Sequence, residues 1–268
     1  MHNPEIAING HKPLINLFWT GGWDSTFRLI TLAGKDVIIQ PWYLRDNRRS
    51  EWHELFAIAT IRKDLRKMNS TRCIINEVRT LKTSKVEKDT EITNAWQNLR
   101  NKFNIGTQYD WLARFAKRRK GIELGIHKGG HIQNIINQCG ALKKESSDIT
   151  GPIYSLDISR SAEDLIRVFG NFHFPQLDIT KWDMKWEAEE LGYSDIMHKT
   201  WFCHNPVNNQ PCGVCKTCCF AMEEGFGYRL SLIAHLRYNI KKLKQITHLP
   251  QIKARLYNLA GKTRQIQH

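Results

Sequence analysis

Apolar and polar positions along this chain fall into blocks that read in turn as strands and helices. Leu14 to Trp19 is an apolar run that feeds into Thr20-Gly21-Gly22-Trp23-Asp24-Ser25-Thr26 and then the helix-like Phe27-Arg28-Leu29-Ile30. Val37 to Leu44 predicts a second strand, ended by the polar Arg45-Asp46-Asn47-Arg48-Arg49. Glu51 to Lys67 predicts a helix, with Trp52, Leu55, Phe56, Ala59 and Leu65 among its apolar positions. Cys73 to Val78 reads as a third strand, and Arg79 to Asn104 as a polar insertion carrying one helix near Ile92 to Phe103. Gly106 to Arg119 is an amphipathic pattern leading into the short strand Gly121 to Ile126. Pro152 to Leu156 predicts another strand, and Ser161 to Phe169 and Lys181 to Leu191 two further helices. Strands alternating with helices argue for an α/β fold, a parallel sheet with right-handed crossovers and helices on both faces.

The first strand-to-helix turn carries the main candidate chemistry. Two adjacent glycines let the backbone approach a ligand closely, and the following Asp-Ser-Thr is suited to capping a helix whose first N–H groups point outward. Such a helix start is a phosphate cradle. A P-loop needs Gly, four residues, then Gly-Lys-Ser/Thr, and no lysine stands here, so that nucleotide site is excluded. A second glycine-rich loop, His127-Lys128-Gly129-Gly130-His131, follows a predicted strand, the edge at which open parallel sheets bind ligands. Its histidines fit a simple surface turn equally well, and their spacing matches no metal motif.

The 268 residues suffice for one α/β domain with an appendage, and no apolar run approaches the ~20 residues of a membrane span. The opening Met-His-Asn-Pro-Glu lacks a basic start followed by an apolar core, so the expectation is a cytoplasmic protein without membrane attachment. Lysine and arginine total 40 against 26 acidic residues, and no acid follows Glu224. That final stretch carries Arg229, Arg237, Lys241, Lys242, Lys244, Lys253, Arg255, Lys262 and Arg264, interleaved with Leu, Ile and Tyr at helical spacing. It predicts a basic helical extension, either a solvated face or a contact for an acidic partner, RNA or protein.

Seven cysteines without a secretion signal favour thiols and metal ligands over disulfides. Cys212, Cys215 and Cys218 recur at two-residue gaps on one knuckle, and Cys203 can return to complete a tetrahedron. Four soft sulfur ligands predict Zn²⁺ at about 2.3 Å in a closed structural site. His204 and Cys219 are second choices as ligands.

Thr20-Gly21-Gly22-x-Asp24-Ser25 resembles the Ser-Gly-Gly-x-Asp-Ser pyrophosphate loop of the PP-loop ATP pyrophosphatases, with Thr20 in the first hydroxyl position. Thr200-Trp201-Phe202-Cys203, the three clustered cysteines and Gly225-Phe226 resemble the zinc-binding end of 7-cyano-7-deazaguanine synthases. Lys181 with its helix closing on Glu190-Leu191-Gly192-Tyr193, and Tyr43 followed by Arg48, Arg49 and Glu54-Leu55-Phe56-Ala57, are similar to segments of the same family. The resemblance runs from residue 14 to about 226, loosely between 79 and 175. It implies an adenine nucleotide alpha hydrolase-like PP-loop domain over residues 1–200, a zinc-binding segment over 201–228 and the basic extension over 229–268. It further implies ATP and Mg²⁺ held by Thr20, Gly21, Gly22, Asp24, Ser25 and Thr26, with Asp24, Ser25 and Lys181 as catalytic residues. The implied reaction adenylates a deazapurine carboxylate, amidates it with ammonia to amide and nitrile, and releases AMP and pyrophosphate.

Departures from the family bear on substrate and acceptor. The Tyr-Pro-Asp-Cys-Arg substrate loop is absent, with Ser155 to Arg160 and Phe172-His173-Phe174-Pro175 in its place, and no arginine follows the last zinc cysteine. Asp157 to Arg160 with Phe172 and Phe174 is the candidate sandwich for a flat base. Two alternatives stay open: transfer of the activated acyl group to an amine on a protein, as in bacterial defence relatives, and modification of RNA by a tRNA-modifying PP-loop enzyme. The latter enzymes pair reactive cysteines near the loop, whereas Cys73 and Cys139 stand alone. A catalytically dead binding module is disfavoured by the intact Gly21-Gly22-x-Asp24-Ser25. Whether the protein forms a homodimer is not legible in the sequence.

Overall fold

The computed structural model describes residues 12–245, and the chain divides into two compact units, one ending at Trp201 and one beginning at Phe202. Lys253, Arg255, Lys262 and Arg264 of the basic stretch lie outside the described residues.

The first unit is an α/β structure around a parallel sheet. Strands β1 (Leu14–Phe18), β2 (Ile38–Arg45), β3 (Ile74–Ile75), β4 (Arg79–Lys82) and β5 (Ile122–Glu123) join β8 (Phe172–His173) in the order β3-β2-β1-β5-β8, with β4 also along β2. Every pairing in this sheet is parallel. Successive residues of β1, Leu17 and Phe18, are both buried, which marks a sheet covered on both faces. Phe18, Trp42, Leu44, Ile122 and Phe172 enter one core with side chains from α3 (Thr90–Phe103), α4 (Gln108–Ala116), α5 (His131–Cys139) and α6 (Glu163–Phe169). Helices α1 (Trp23–Ala33), α2 (Glu51–Leu65), α7 (Lys181–Glu190) and α8 (Ser194–His198) form a second group in mutual contact.

Several strands depart from the pattern read in the sequence, among them β8, on residues read there as part of a ligand loop. Residues Arg79–Lys82 are a strand at the sheet, not part of a helical insertion alone, and only one of the four is even half-buried, so they carry no apolar alternation. Pro152 to Leu156 belongs to β7 (Gly151–Leu156), which pairs antiparallel with β6 (Leu142–Ser147) in a separate hairpin outside the parallel sheet. The polar Leu-Lys-Lys-Glu-Ser-Ser of β6 hides its partner from a periodicity argument.

The second unit holds a cysteine knuckle, helix α9 (Lys216–Glu223) and a helix over residues 232–245. Gly213, at φ +80°, brings the knuckle against that last helix, and a Cβ there would lie 2.1 Å from the Ala234 carbonyl oxygen. Several basic residues of the extension are spent inside this unit. Lys241 donates to the Val214 carbonyl at 2.7 Å, Lys242 pairs with Glu223 at 2.6 Å, and the Arg229 guanidinium, its pKa lowered to about 10 by burial, lies over the Phe202 ring. Among the described residues no helix is long and apolar enough to cross a membrane.

Candidate functional site

The strand order fixes where a site forms. From β1 the chain builds outward through β2 and β3 on one side, and β5 and β8 extend the sheet on the other, so the order reverses between β1 and β5. Ligands of open parallel sheets bind outside the carboxyl ends of the strands at such a reversal. The loop after β1 and the loop after β5 both emerge there, and they touch. Asp24 Oδ2 lies 3.2 Å from His127 Nδ1, across 103 residues of chain. A Cβ on Gly125 would stand 3.1 Å from the Ser25 nitrogen, so the close approach of the two loops requires glycine.

Gly21 shapes the first loop. It sits at φ +67°, its carbonyl accepts from the Trp201 N–H at 2.8 Å, and a Cβ would come within 2.9 Å of the Glu54 carbonyl oxygen. The conformation is strained for any other residue and the contact is backbone, which cannot yield cheaply. Gly21→Ala should therefore cost about 1–3 kcal/mol and displace the loop, read as a lowered thermal midpoint. Glu54 is in turn held by three neighbours: the Tyr43 hydroxyl donates to it at 2.8 Å, Ser50 at 2.6 Å, and Arg48 approaches at 3.6 Å. Burial, reinforced by Glu54, pushes the Tyr43 pKa up and keeps that hydroxyl a donor.

Helix α1 begins earlier than the sequence reading has it. Its N-cap is Gly22, with no side-chain cap, so Asp24, Ser25 and Thr26 occupy the first turn and do not cap the helix. Ser25 Oγ lies 3.4 Å from the Thr20 nitrogen, inside the loop, and Thr20 is exposed at its edge. Thr26 is a correction: fully buried, it accepts from Trp19 Nε1 at 2.9 Å, and its own N–H goes to the Gly22 carbonyl, so it faces the core rather than a ligand. Lys181 opens α7 directly after the capping box of Thr180 and Asp183. Two residues before it, the Ile179 carbonyl accepts from the Lys128 N–H at 2.9 Å, which ties the start of α7 to the second glycine loop.

Three further residues at this junction are not picked out by sequence reasoning. Gln176, 2% exposed, donates through Nε2 to the Asp24 carbonyl at 2.7 Å, and its Oε1 has no hydrogen-bond partner among the described residues. The same holds for Asp24 Oδ1. Arg28 and Glu123, both buried, form a two-pronged ion pair at 2.8 and 2.7 Å, and Arg28 also donates to the Thr150 carbonyl at 2.9 Å. The signal in the sequence was a charged residue inside each of two apolar runs, since an unpaired charge does not survive there.

The proposed base sandwich is not formed. Phe172 and Phe174 are fully buried in the core and offer no face to a ligand. Asp157 serves the local turn instead, accepting from Ser159 and from Arg160 Nε at 2.8 Å, and these hydrogen bonds lower its pKa to about 2.

In the second unit the Sγ atoms of Cys203, Cys212, Cys215 and Cys218 lie within 4.8 Å of one another, all four side chains buried. Cys203 to Cys215 and Cys212 to Cys218 are each 3.9 Å apart, near the edge of about 3.8 Å that a tetrahedron of ~2.3 Å zinc–sulfur bonds requires. Backbone N–H groups of Cys212 and Cys215 point at the sulfurs of Cys203 and Cys212, both at 3.2 Å, which favours the thiolate form. Contact with the Cys215 sulfur pushes the Cys203 thiol up to about 12, while Cys215 is drawn down by the hydrogen bond from Cys203. Four thiolates this close ionise together only around a cation, so the cluster can hold a zinc ion. Cys219 lies outside it, 3.4 Å from Lys241 Nζ, and His204 is exposed. Comparison with models of known protein families and with curated proteins gives no match to this chain.

Proposed function

We propose that the protein is an ATP-dependent, AMP-forming carbon–nitrogen ligase of the PP-loop kind, similar to 7-cyano-7-deazaguanine synthase, with a structural zinc. One observation carries the reading: the Gly21-Gly22-x-Asp24-Ser25 loop and the Gly125 to Gly130 loop meet at the reversal of strand order in a parallel sheet. The α1 N-terminus at half-buried Gly22 and the exposed Gly129 of the second loop suit the phosphates of a nucleotide. The buried, unpartnered Asp24 Oδ1 suits a hard divalent cation such as Mg²⁺, which when bound neutralises phosphate charge. His127 and Asp24 orient one another, and Lys128 brings a positive charge to the same edge. Such a site aligns a carboxylate with the α-phosphorus by position and charge, and needs no covalent nucleophile.

The carboxylate is taken to be a deazapurine acid, and the acceptor ammonia, with an amine on a protein or an RNA as the alternatives that the basic stretch after Glu224 suits. Incubation with Mg-ATP and 7-carboxy-7-deazaguanine, with and without ammonia, should yield AMP and pyrophosphate, with the amide or nitrile seen by mass spectrometry. Release of ADP and phosphate sinks the reading. Asp24→Ala should lower the AMP-forming rate about 10²- to 10³-fold, as expected for loss of one preorganised electrostatic group, while leaving the far-UV circular dichroism unchanged.

A further inference from the structure

A cleft of about 520 Å³ opens between α1, α7 and the β6–β7 hairpin, beside the loop junction and separate from it. Its apolar walls come from Phe27, Pro152, Pro175 and Ile179. Its charge is unlike that of the rest of the molecule. Asp148, Asp178, Asp183 and Glu187 line it, in a chain of net charge +14. Of its two basic residues, Arg28 is cancelled by Glu123, and Lys35 is exposed at the edge.

The acids are not equivalent. Asp178 is engaged by the Tyr154 hydroxyl at 3.0 Å and by Lys144 at 3.6 Å, and Asp183 is spent on the Thr180 capping box. Asp148, in the hairpin turn, and Glu187, on α7, make no ion pair among the described residues. Burial, with Glu190 and Asp183 nearby, pushes the Glu187 pKa up, a cost that a bound cation would relieve. Gln176 closes the wall toward the loop, buried, with its amide beside Asp24 and Gly125. Space, apolar walls and two carboxylates without an ion pair among the described residues together describe a site for a ligand with an apolar body and an N–H group.

We propose that this cleft binds an organic amine, its ammonium end held by Asp148 and Glu187 and its carbon skeleton by Phe27, Pro152, Pro175 and Ile179. The amine's fate rests on the ligase reading above, and deepens it by naming a nitrogen substrate larger than ammonia. Gln176 joins the two places, since its Nε2 bonds the Asp24 carbonyl at 2.7 Å while its side chain lines the cleft. In the acyl transfer the ammonium first gives up one proton to solvent, and the amine nitrogen so freed donates its lone pair to the activated carbonyl carbon. The C–N bond forms as the C–O bond to AMP breaks; AMP leaves with that electron pair, and the surplus proton on nitrogen passes to solvent.

Titration of the full, zinc-loaded chain with phenethylamine, 2-phenylethanol and 3-phenylpropionate, in parallel with Mg-ATP, tests the assignment. Phenethylamine should bind at least about tenfold tighter than the alcohol, and the carboxylate not at all. Glu187→Gln and, independently, Asp148→Asn in the exposed turn should each weaken the amine several-fold while leaving the alcohol and ATP unchanged. Equal binding of amine and alcohol, or an amine affinity indifferent to both substitutions, overturns the proposal. Amine binding without ATP binding keeps the cleft and removes the ligase reading, and ATP binding without amine binding does the reverse.

Discussion

Cys215→Ser should abolish metal binding and unfold the segment that begins at Phe202, whereas the freshly purified parent protein should carry one zinc per chain. The four sulfurs are already at near-tetrahedral spacing and buried, and two of the cysteines donate backbone N–H groups to sulfur. Among the described residues the apolar core of this unit is small, with Phe226, Leu230 and Ala234 buried in it. Leu232, Ile233, Leu236 and Leu243 of its last helix are all more than 60% exposed or at that level, so few of them are left for a core. A structural zinc supplies on the order of 10 kcal/mol or more of apparent folding energy in small modules, more than such a segment can lose. Metal analysis with limited proteolysis checks both halves of the expectation: less than half an equivalent of zinc, or an equally protease-resistant Cys215→Ser protein, would refute it. Gly213→Ala tests the packing without touching a ligand. With φ at +80° and the Ala234 carbonyl 2.1 Å from the added methyl, it should destabilise the same segment while the cysteines remain.

What the sequence made legible was whatever depends on near neighbours. The knuckle Cys212, Cys215, Cys218 is a spacing, and so is the glycine turn after an apolar strand; both are readable without a fold. The helices over 51–65 and 181–190 lie where the sequence reading has them, although Trp52 and Phe56, among the apolar positions read in the first, are exposed. What escaped depends on topology. Nothing in local pattern says that residues 24 and 127 meet, because that follows from β1 and β5 being sheet neighbours, a pairing closed across about a hundred residues. Phe172 and Phe174 were misread because an aromatic pair beside polar residues looks alike whether it lines a cleft or fills a core, and only the position of β8 at the sheet decides. Thr26 was misread for a related reason: the helix starts at Trp23, so Thr26 lies within its first turn and faces inward, toward Trp19.

The Arg28–Glu123 pair is where fold and candidate site are most tightly joined. Arg28 stands one turn after Asp24 on α1, and Glu123 two residues before Gly125 on β5, so the pair fixes the two elements whose loops meet. Arg28→Met should cost about 3–5 kcal/mol, because it leaves a carboxylate buried at 2% exposure with no cation and also strips the Thr150 carbonyl of a donor. Arg28→Lys should fall short of the parent too, since one ammonium cannot reproduce two parallel bonds to the carboxylate together with a third to a carbonyl. The double variant Arg28→Met with Glu123→Leu separates charge from shape. Removing both charges avoids the stranded carboxylate, so it should lie within about 1–2 kcal/mol of the parent, the remainder being the unsatisfied Thr150 carbonyl. Urea unfolding of the four proteins gives the comparison. A double variant as unstable as Arg28→Met would mean that the methionine, rather than the orphaned charge, does the damage. Nucleotide affinity measured on the stable double variant then asks whether holding α1 to β5 is enough, or whether the two loops need the ion pair itself to stay in register.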